Sequence, residues 1–352
     1  MVERLKKLTN TQQHIESLLM STIGIVKAIN LTRIYQYVYA VLIEQYLTLF
    51  PSILSIDITN PRVVKAMLKF MEVFLHVATT LLRFRFEASQ VKFLFGIVKK
   101  VLSEVIKCIP DIQMPSEFEA YLRKYGPMKS IYRMVISLIL VDGLRIDILE
   151  KDALDSFFNM ILKMFTNTSI EDLFSYPKKL KAGFEFVMLF LKKFPQSFAR
   201  VVTKEEFVKL FNILKDGSIS IHQYICISCY EAINAIFDNY IKLIFSLEYI
   251  MAIQNILEVF LIRNIENFIN GEIANHGIIS YVLFRIIAWF KDRARLIIAG
   301  ILARYGNGLR KDVRECVEGL GRFSECEIGN KEARKEFVRS VEGMIQVIKG
   351  TD

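Results

Sequence analysis

The chain is poor in the residues that carry most protein chemistry. It has only five cysteines and four histidines in 352 residues, and the cysteines are odd in number with no framework spacing. That excludes a disulfide scaffold and fits a reducing, intracellular compartment. Long apolar runs are missing too: the longest uncharged stretch, 217–230, has 14 residues and includes His222 and Gln223. A membrane-spanning helix needs about 20 apolar residues, so membrane insertion is not expected. The opening MVERLKKLTN is charged, with no apolar segment behind it, so no secretory signal is expected. There is no G-x-S-x-G, H-E-x-x-H or P-loop, no strand-like alternation of useful length, no low-complexity segment and no flexible linker.

What the chain has is apolar bulk. It is 53% hydrophobic, with mean hydropathy +0.32, 27 phenylalanines and 12 methionines. That is more core than one compact domain usually encloses. The stretch from Glu150 to Pro195 shows how it is used. Leu154, Phe157, Phe158, Ile161, Leu162 and Phe165 fall on one helical stripe, and Asp155, Asn159 and Lys163 on the opposite side. Thr168 and Glu171 have capping-box spacing, Pro177 suits a first helical residue and Pro195 a stop. The helix between the prolines places Leu180, Phe184, Val187, Met188 and Leu191 against Lys178, Lys181, Glu185 and Lys192. Neither helix can hide its stripe alone.

The same unit recurs. Helices are expected over 12–29 and 32–49, the second burying Ile34, Tyr37, Val38, Val41 and Leu42. Asn60 and Pro61 open a helix through Phe84, and its partner runs over 88–109. Residues 110–127, with three of the seven prolines, form an irregular connector with one short helix at 117–124. Further helices are expected at 128–141, 152–166, 177–194, 203–215, 218–244, 246–268, 274–291, 292–305, 309–322 and 330–348, with Gly271, Gly277, Gly306, Gly308 and Gly329 as stops. The fold expected is all-α: one α-solenoid of antiparallel HEAT- or armadillo-like helix pairs over residues 1–352, repeating at roughly 40 to 50 residues.

Net charge is +9, and the surplus is uneven: residues 61–109 hold nine Lys and Arg against Glu72, Glu87 and Glu104. Arg62, Lys65 and Lys69 form one ridge, with Val64, Met67, Leu68 and Met71 behind it, and Lys99 and Lys100 on the next helix extend it. These five are the candidate partner-binding residues, set against the plainer reading of a solvated lysine-rich face. Nucleic acid is not the expected partner, because Phe84 and Phe86 sit at the helix junction and are not interleaved along the ridge for base stacking.

His222, Cys226 and Cys229, at i, i+4 and i+7, are the best metal-ligand candidates, but a closed zinc site needs a fourth ligand, from Cys316 or Cys326. Ile225, Ile233, Ile236 and Phe237 share their face, so packing is the stronger reading and no metal is expected. Gly306-Asn307-Gly308 and Gly319-Leu320-Gly321 start dinucleotide-loop patterns that Lys311 and Ser324 leave incomplete. No cofactor and no enzymatic activity are expected.

Four segments, in order, resemble the carboxy-terminal part of nuclear export receptors of the importin-β superfamily, in the exportin 7 and Ran-binding protein 16/17 branch. These are 60–102 with Leu82-Arg83-Phe84 and Leu94-Phe95; 150–195 with Asp152-Ala153-Leu154-Asp155 and Leu173-Phe174-Ser175-Tyr176-Pro177-Lys178; 224–237 with Cys226 and Cys229; and 281–309 followed by 331–347. The resemblance covers about 60–348. It implies antiparallel HEAT-type pairs, protein cargo, Ran in its GTP form, contact with nuclear-pore phenylalanine-glycine repeats, and shuttling between nucleus and cytoplasm. A general helical-repeat scaffold is the alternative, with a nucleic-acid-binding repeat protein behind it.

Overall fold

The computed structural model describes residues 12–29, 32–39, 47–51, 61–78, 86–108, 124–140, 149–168, 171–172, 176–220, 222–272 and 276–350. Among the described residues there is no strand, and the helices pack against one another. The chain divides into two compact units, Met1–Lys193 and Phe194–Asp352.

The first unit contains α1 (Gln12–Ala28), α2 (Thr32–Val38), α3 (Pro61–His76), α4 (Ala88–Cys108), α5 (Gly126–Leu140), α6 (Lys151–Thr166) and α7 (Pro177–Lys193). Its order of packing skips along the chain: α1 lies on α3, α3 on α5 and α5 on α7, while α4 packs on α6. Helix α3 therefore has a neighbour on each flank. Met67, Leu68, Phe70, Met71 and Phe74 are at most 1% exposed, and Arg62 and Lys65 stay in water. The ridge and its apolar back are as the periodicity places them.

Aromatic rings fill this unit. Phe74 stacks with Tyr35 and Tyr39, at centroid distances of 5.5 and 6.0 Å, and Phe86 meets both Tyr39 and Phe74 edge-on. That corrects the expected face of α2: Ile34 and Tyr37 are exposed, and Tyr35 and Tyr39 are buried. Two rings stacked on Phe74 bury more apolar area than the Ile34 face offers. The expected stripe of α6 is buried throughout, with Phe158 stacked on Phe190 at 4.5 Å and Phe165 edge-on to Phe184 at 5.2 Å. On α7, Phe184, Val187 and Leu191 are buried, Met188 is half-buried, and the Leu180 side chain lies outside the described residues. Thr168 does not open the next helix with its hydroxyl; it donates back to the Met164 carbonyl at 2.9 Å, closing α6.

Several expectations fall outside the described residues: Asn60, Leu82-Arg83-Phe84, Val41, Leu42, Leu173 to Ser175, and most of the connector with its short helix. Helix α3 ends at His76, followed by a wider turn through Ala78. Helix α5 already begins at Gly126, inside the span read as irregular.

The second unit contains α8 (Pro195–Val201), α9 (Lys204–Gly217), α10 (Gln223–Ile241), α11 (Leu247–Ala252), α12 (Gln254–Ile269), α13 (His276–Phe290), α14 (Asp292–Tyr305), α15 (Lys311–Leu320) and α16 (Lys331–Lys349). Pro195 opens a helix here instead of only closing one. Thr203 and Glu206 form a capping box, both bonds made, and Asn330 caps α16. The single helix expected over 246–268 is two, broken at Ile253. At the centre lies α13, apolar on almost every side, which packs against α10, α12, α14 and α16. Its Arg285 is 3% exposed and donates to the Asn234 carbonyl at 2.7 Å and to Asp238 at 2.5 Å, tying α13 to α10.

Two helix ends share one backbone motif with different residues. After α12, Gly271 takes φ +70°, its N–H donating to Phe268 and that of Glu272 to Asn267; after α10, Leu243 takes φ +58°, its N–H donating to Tyr240 and that of Ile244 to Asn239. Leu243 is 87% exposed, so it gains no burial for its left-handed backbone.

Two measurements check this account. Phe158→Ala and Phe184→Ala should each destabilise by about 3–5 kcal/mol in denaturant titration, through loss of burial and a residual cavity; a loss within about 0.5 kcal/mol would mean an exposed face. Leu243→Gly should stabilise by about 1 kcal/mol, and Gly271→Ala destabilise by about as much, because only the glycine adopts this backbone without steric cost.

Candidate functional site

In the first unit α1, α3, α5 and α7 lie side by side, and each leaves one stripe unburied. These stripes meet at a cleft of about 500 Å³. Its apolar lining is Val73 on α3, Val77 just past it, and Ile136 and Leu140 on α5. The first three are buried, and Leu140 is 49% exposed. Its polar lining is Lys27 from α1, Lys69, Glu72 and His76 from α3, Arg133 from α5 and Glu185 from α7.

Glu72 ties the charged side chains together. It is 8% exposed, and its carboxylate accepts from Lys69 Nζ at 2.9 Å and from Arg133 at 3.4 Å. The sequence places Glu72 on the solvated side of α3 with the ridge lysines. Packing of α5 against α3 covers that position, so Glu72 becomes a buried counter-ion. Lys129, one turn before Arg133, belongs to the same group. Burial, with Arg133 and Lys69 alongside, pulls its ammonium below the usual lysine range, while Glu72 opposes the shift. Three cations thus gather about one buried carboxylate, and positive charge remains in excess.

The basic surface extends past the cleft. Arg62 and Lys65 continue the Lys69 stripe along α3, and Lys181 and Lys192 flank Glu185 one and two turns away on α7. Of the five residues singled out from sequence, Arg62, Lys65 and Lys69 therefore share one stripe. Lys99 and Lys100 stand on α4, which packs on α6 through Phe95 and Phe157, and neither lines the cleft. The sequence reading missed Lys27, Arg133, Leu140 and Glu185 as neighbours of Lys69. Each is an unremarkable residue on its own helix face, and only the packing order brings them together.

The other candidates are placed as follows. Cys226 donates its thiol to the Ser218 carbonyl at 2.9 Å, Cys229 is fully buried, and His222 stacks on Tyr224. Burial pushes the Cys226 thiol up to about 11, and burial, with Cys226 beside it, raises the Cys229 thiol well above the usual thiol range. Among the described residues no three His, Cys, Asp or Glu side chains are grouped to hold a metal ion. Gly306 and Gly308 form a 3-10 turn between α14 and α15, and Gly321, buried, starts another. No helix among the described residues is long and apolar enough to cross a membrane.

Compared with protein families, with curated proteins and with solved structures, the chain matches none.

If this face is a binding surface, Arg62→Glu with Lys65→Glu should slow association with an acidic protein, more at low salt than at high, and leave the melting temperature nearly unchanged, since both side chains are exposed. A merely solvated face gives the same melting temperature and unaltered binding.

Proposed function

We propose that this chain is a helical-repeat protein-binding molecule, an α-solenoid of HEAT- or armadillo-like pairs, acting as the carboxy-terminal region of an exportin 7-like nuclear transport receptor. The observation that carries the repeat reading is the packing order of the first unit, where the helices starting at 12, 61, 126 and 177 lie one on the next and α4 lies on α6. Every second helix in one layer, with intervening helices in another, is what stacked helix pairs produce. The transport reading is supported by the ordered resemblance over 60–348, with protein cargo, Ran in its GTP form and passage between nucleus and cytoplasm as its content.

The charge favours a second reading. Exportin relatives are usually acidic, whereas the face of α3, α5 and α7 carries a surplus of Lys and Arg. A general scaffold that takes an acidic protein partner needs that surplus, and the transport reading does not require it.

Purified Ran locked in its GTP form separates the two. On the exportin reading the chain, expressed with any upstream coding sequence, retains cargo only with GTP-bound Ran and releases it with the GDP form. On the scaffold reading an acidic protein is retained irrespective of Ran, and Arg62→Glu with Lys65→Glu weakens it. Tight, steeply salt-dependent binding to a mixed-sequence oligonucleotide, with neither protein retained, would overturn both.

A further inference from the structure

We propose that the cleft between α1, α3, α5 and α7 seats one large apolar side chain, leucine or phenylalanine, of an extended acidic segment in a protein partner. The inference rests on the reading of this face as a protein-binding surface and names what its centre recognises.

Three observations converge. The first is volume: about 500 Å³ falls within the roughly 300–1,000 Å³ of sites that enclose small ligands, more than a flat interface needs and enough for one bulky side chain with its flanking backbone. The second is that apolar and charged side chains share one lining: Val73, Val77 and Ile136 are buried, and Leu140 stands half out of water on a surface otherwise rich in Lys and Arg. The third is the charge of that lining. Lys27, Lys69 and Arg133 stand against Glu72 and Glu185; Lys69 and Arg133 share the carboxylate of Glu72, and among the described residues Lys27 makes no ion pair. An apolar seat with positive charge in excess beside it fits an apolar side chain flanked by aspartate or glutamate.

Glu72 makes the fit more specific. Its bond from Arg133 is long, at 3.4 Å, and the Arg133 side chain is 49% exposed. A carboxylate arriving from solvent can meet the guanidinium side-on with two short bonds, a geometry Glu72 does not reach. Glu72 therefore acts as a resident competitor that holds Lys69 and Arg133 in place and weakens their hold on an incoming anion. A nucleic acid strand is less well served, because His76 is the sole ring among the described residues of the lining and successive bases need aromatic platforms.

The experiment is fluorescence anisotropy on the full chain with a short fluorescein-labelled peptide of aspartate and glutamate around one leucine, the same peptide with alanine in its place, and a labelled oligonucleotide. The leucine peptide should bind more tightly than the alanine peptide. Arg133→Glu should weaken both by roughly tenfold or more. Leu140→Ala should weaken the leucine peptide several-fold and leave the alanine peptide unchanged, the non-additivity that marks direct contact. Glu72→Gln should tighten both; melting curves on each variant verify that the fold is kept, and Leu140→Ala, at an exposed position, keeps the test open should Glu72→Gln unfold the chain. Equal affinity for the two peptides, or indifference to Arg133→Glu, overturns the inference. If an intact acidic protein is then still bound in a manner sensitive to Arg62→Glu with Lys65→Glu, the surface reading survives and only the cleft assignment fails. Binding of the oligonucleotide alone sinks both.

Discussion

Helix α3 must be buried on two flanks at once, and most of the first unit follows from that. Its sequence PRVVKAMLKFMEVFLH carries apolar residues around so much of its circumference that a single neighbour would leave Val64 or Phe70 in water. With α1 on one side and α5 on the other, Phe70 is fully buried and Val64 nearly so, and only the narrow stripe through Arg62, Lys65, Lys69 and His76 remains. Burying a phenylalanine stabilises by about 1.5–3 kcal/mol, several times what an exposed ion pair on that stripe supplies. Packing therefore sets where the cations go, and they accept the neighbours that packing gives them.

The same priority explains Glu72. A carboxylate at that place in the sequence costs nothing in an isolated amphipathic helix, but with α5 in contact it loses most of its water. Removing a carboxylate from water without a partner is expensive. Lys69, one turn earlier on the same helix, and Arg133, from across the contact, supply what solvent no longer does. The group that results is a consequence of two apolar faces meeting.

Much of this was legible in sequence because helical periodicity reports burial directly. The stripe of α6 and the apolar back of α3 follow from spacing alone. What escaped depends on contacts between elements distant in the chain. In α2 the periodicity allows either the Ile34–Tyr37 face or the Tyr35–Tyr39 face, and only Phe74, 35 positions beyond Tyr39, decides between them. Thr168 and Thr203 have the same spacing to a glutamate; the second forms the box and the first turns back to Met164, a difference their local sequences do not express. Gly183 is a further case. An added Cβ would come within 2.9 Å of the Phe165 ring and 3.0 Å of Tyr132, so this mid-helix glycine is needed where α7 closes on its neighbours, although nothing in PKKLKAGFEF announces it.

The cleft belongs to this second class, and its position has a physical reason. Where helices pack side by side, the furrow between two of them is normally filled by side chains from both. Near the end of α3 that filling is incomplete: Val73 and Val77 are short, and α5 opposes them with Ile136, Ser137 and Leu140, of which only Leu140 reaches outward. Short residues at an α3–α5 contact leave an apolar hollow, and the long cationic chains of Lys27, Lys69 and Arg133 can lie along its edge without occupying its floor, because their charged heads must stay wet. Leu140, the one apolar residue of the cleft's lining that the protein's own side chains leave uncovered among the described residues, is left for an apolar group brought by something else, and the charge beside it restricts what that group can be attached to.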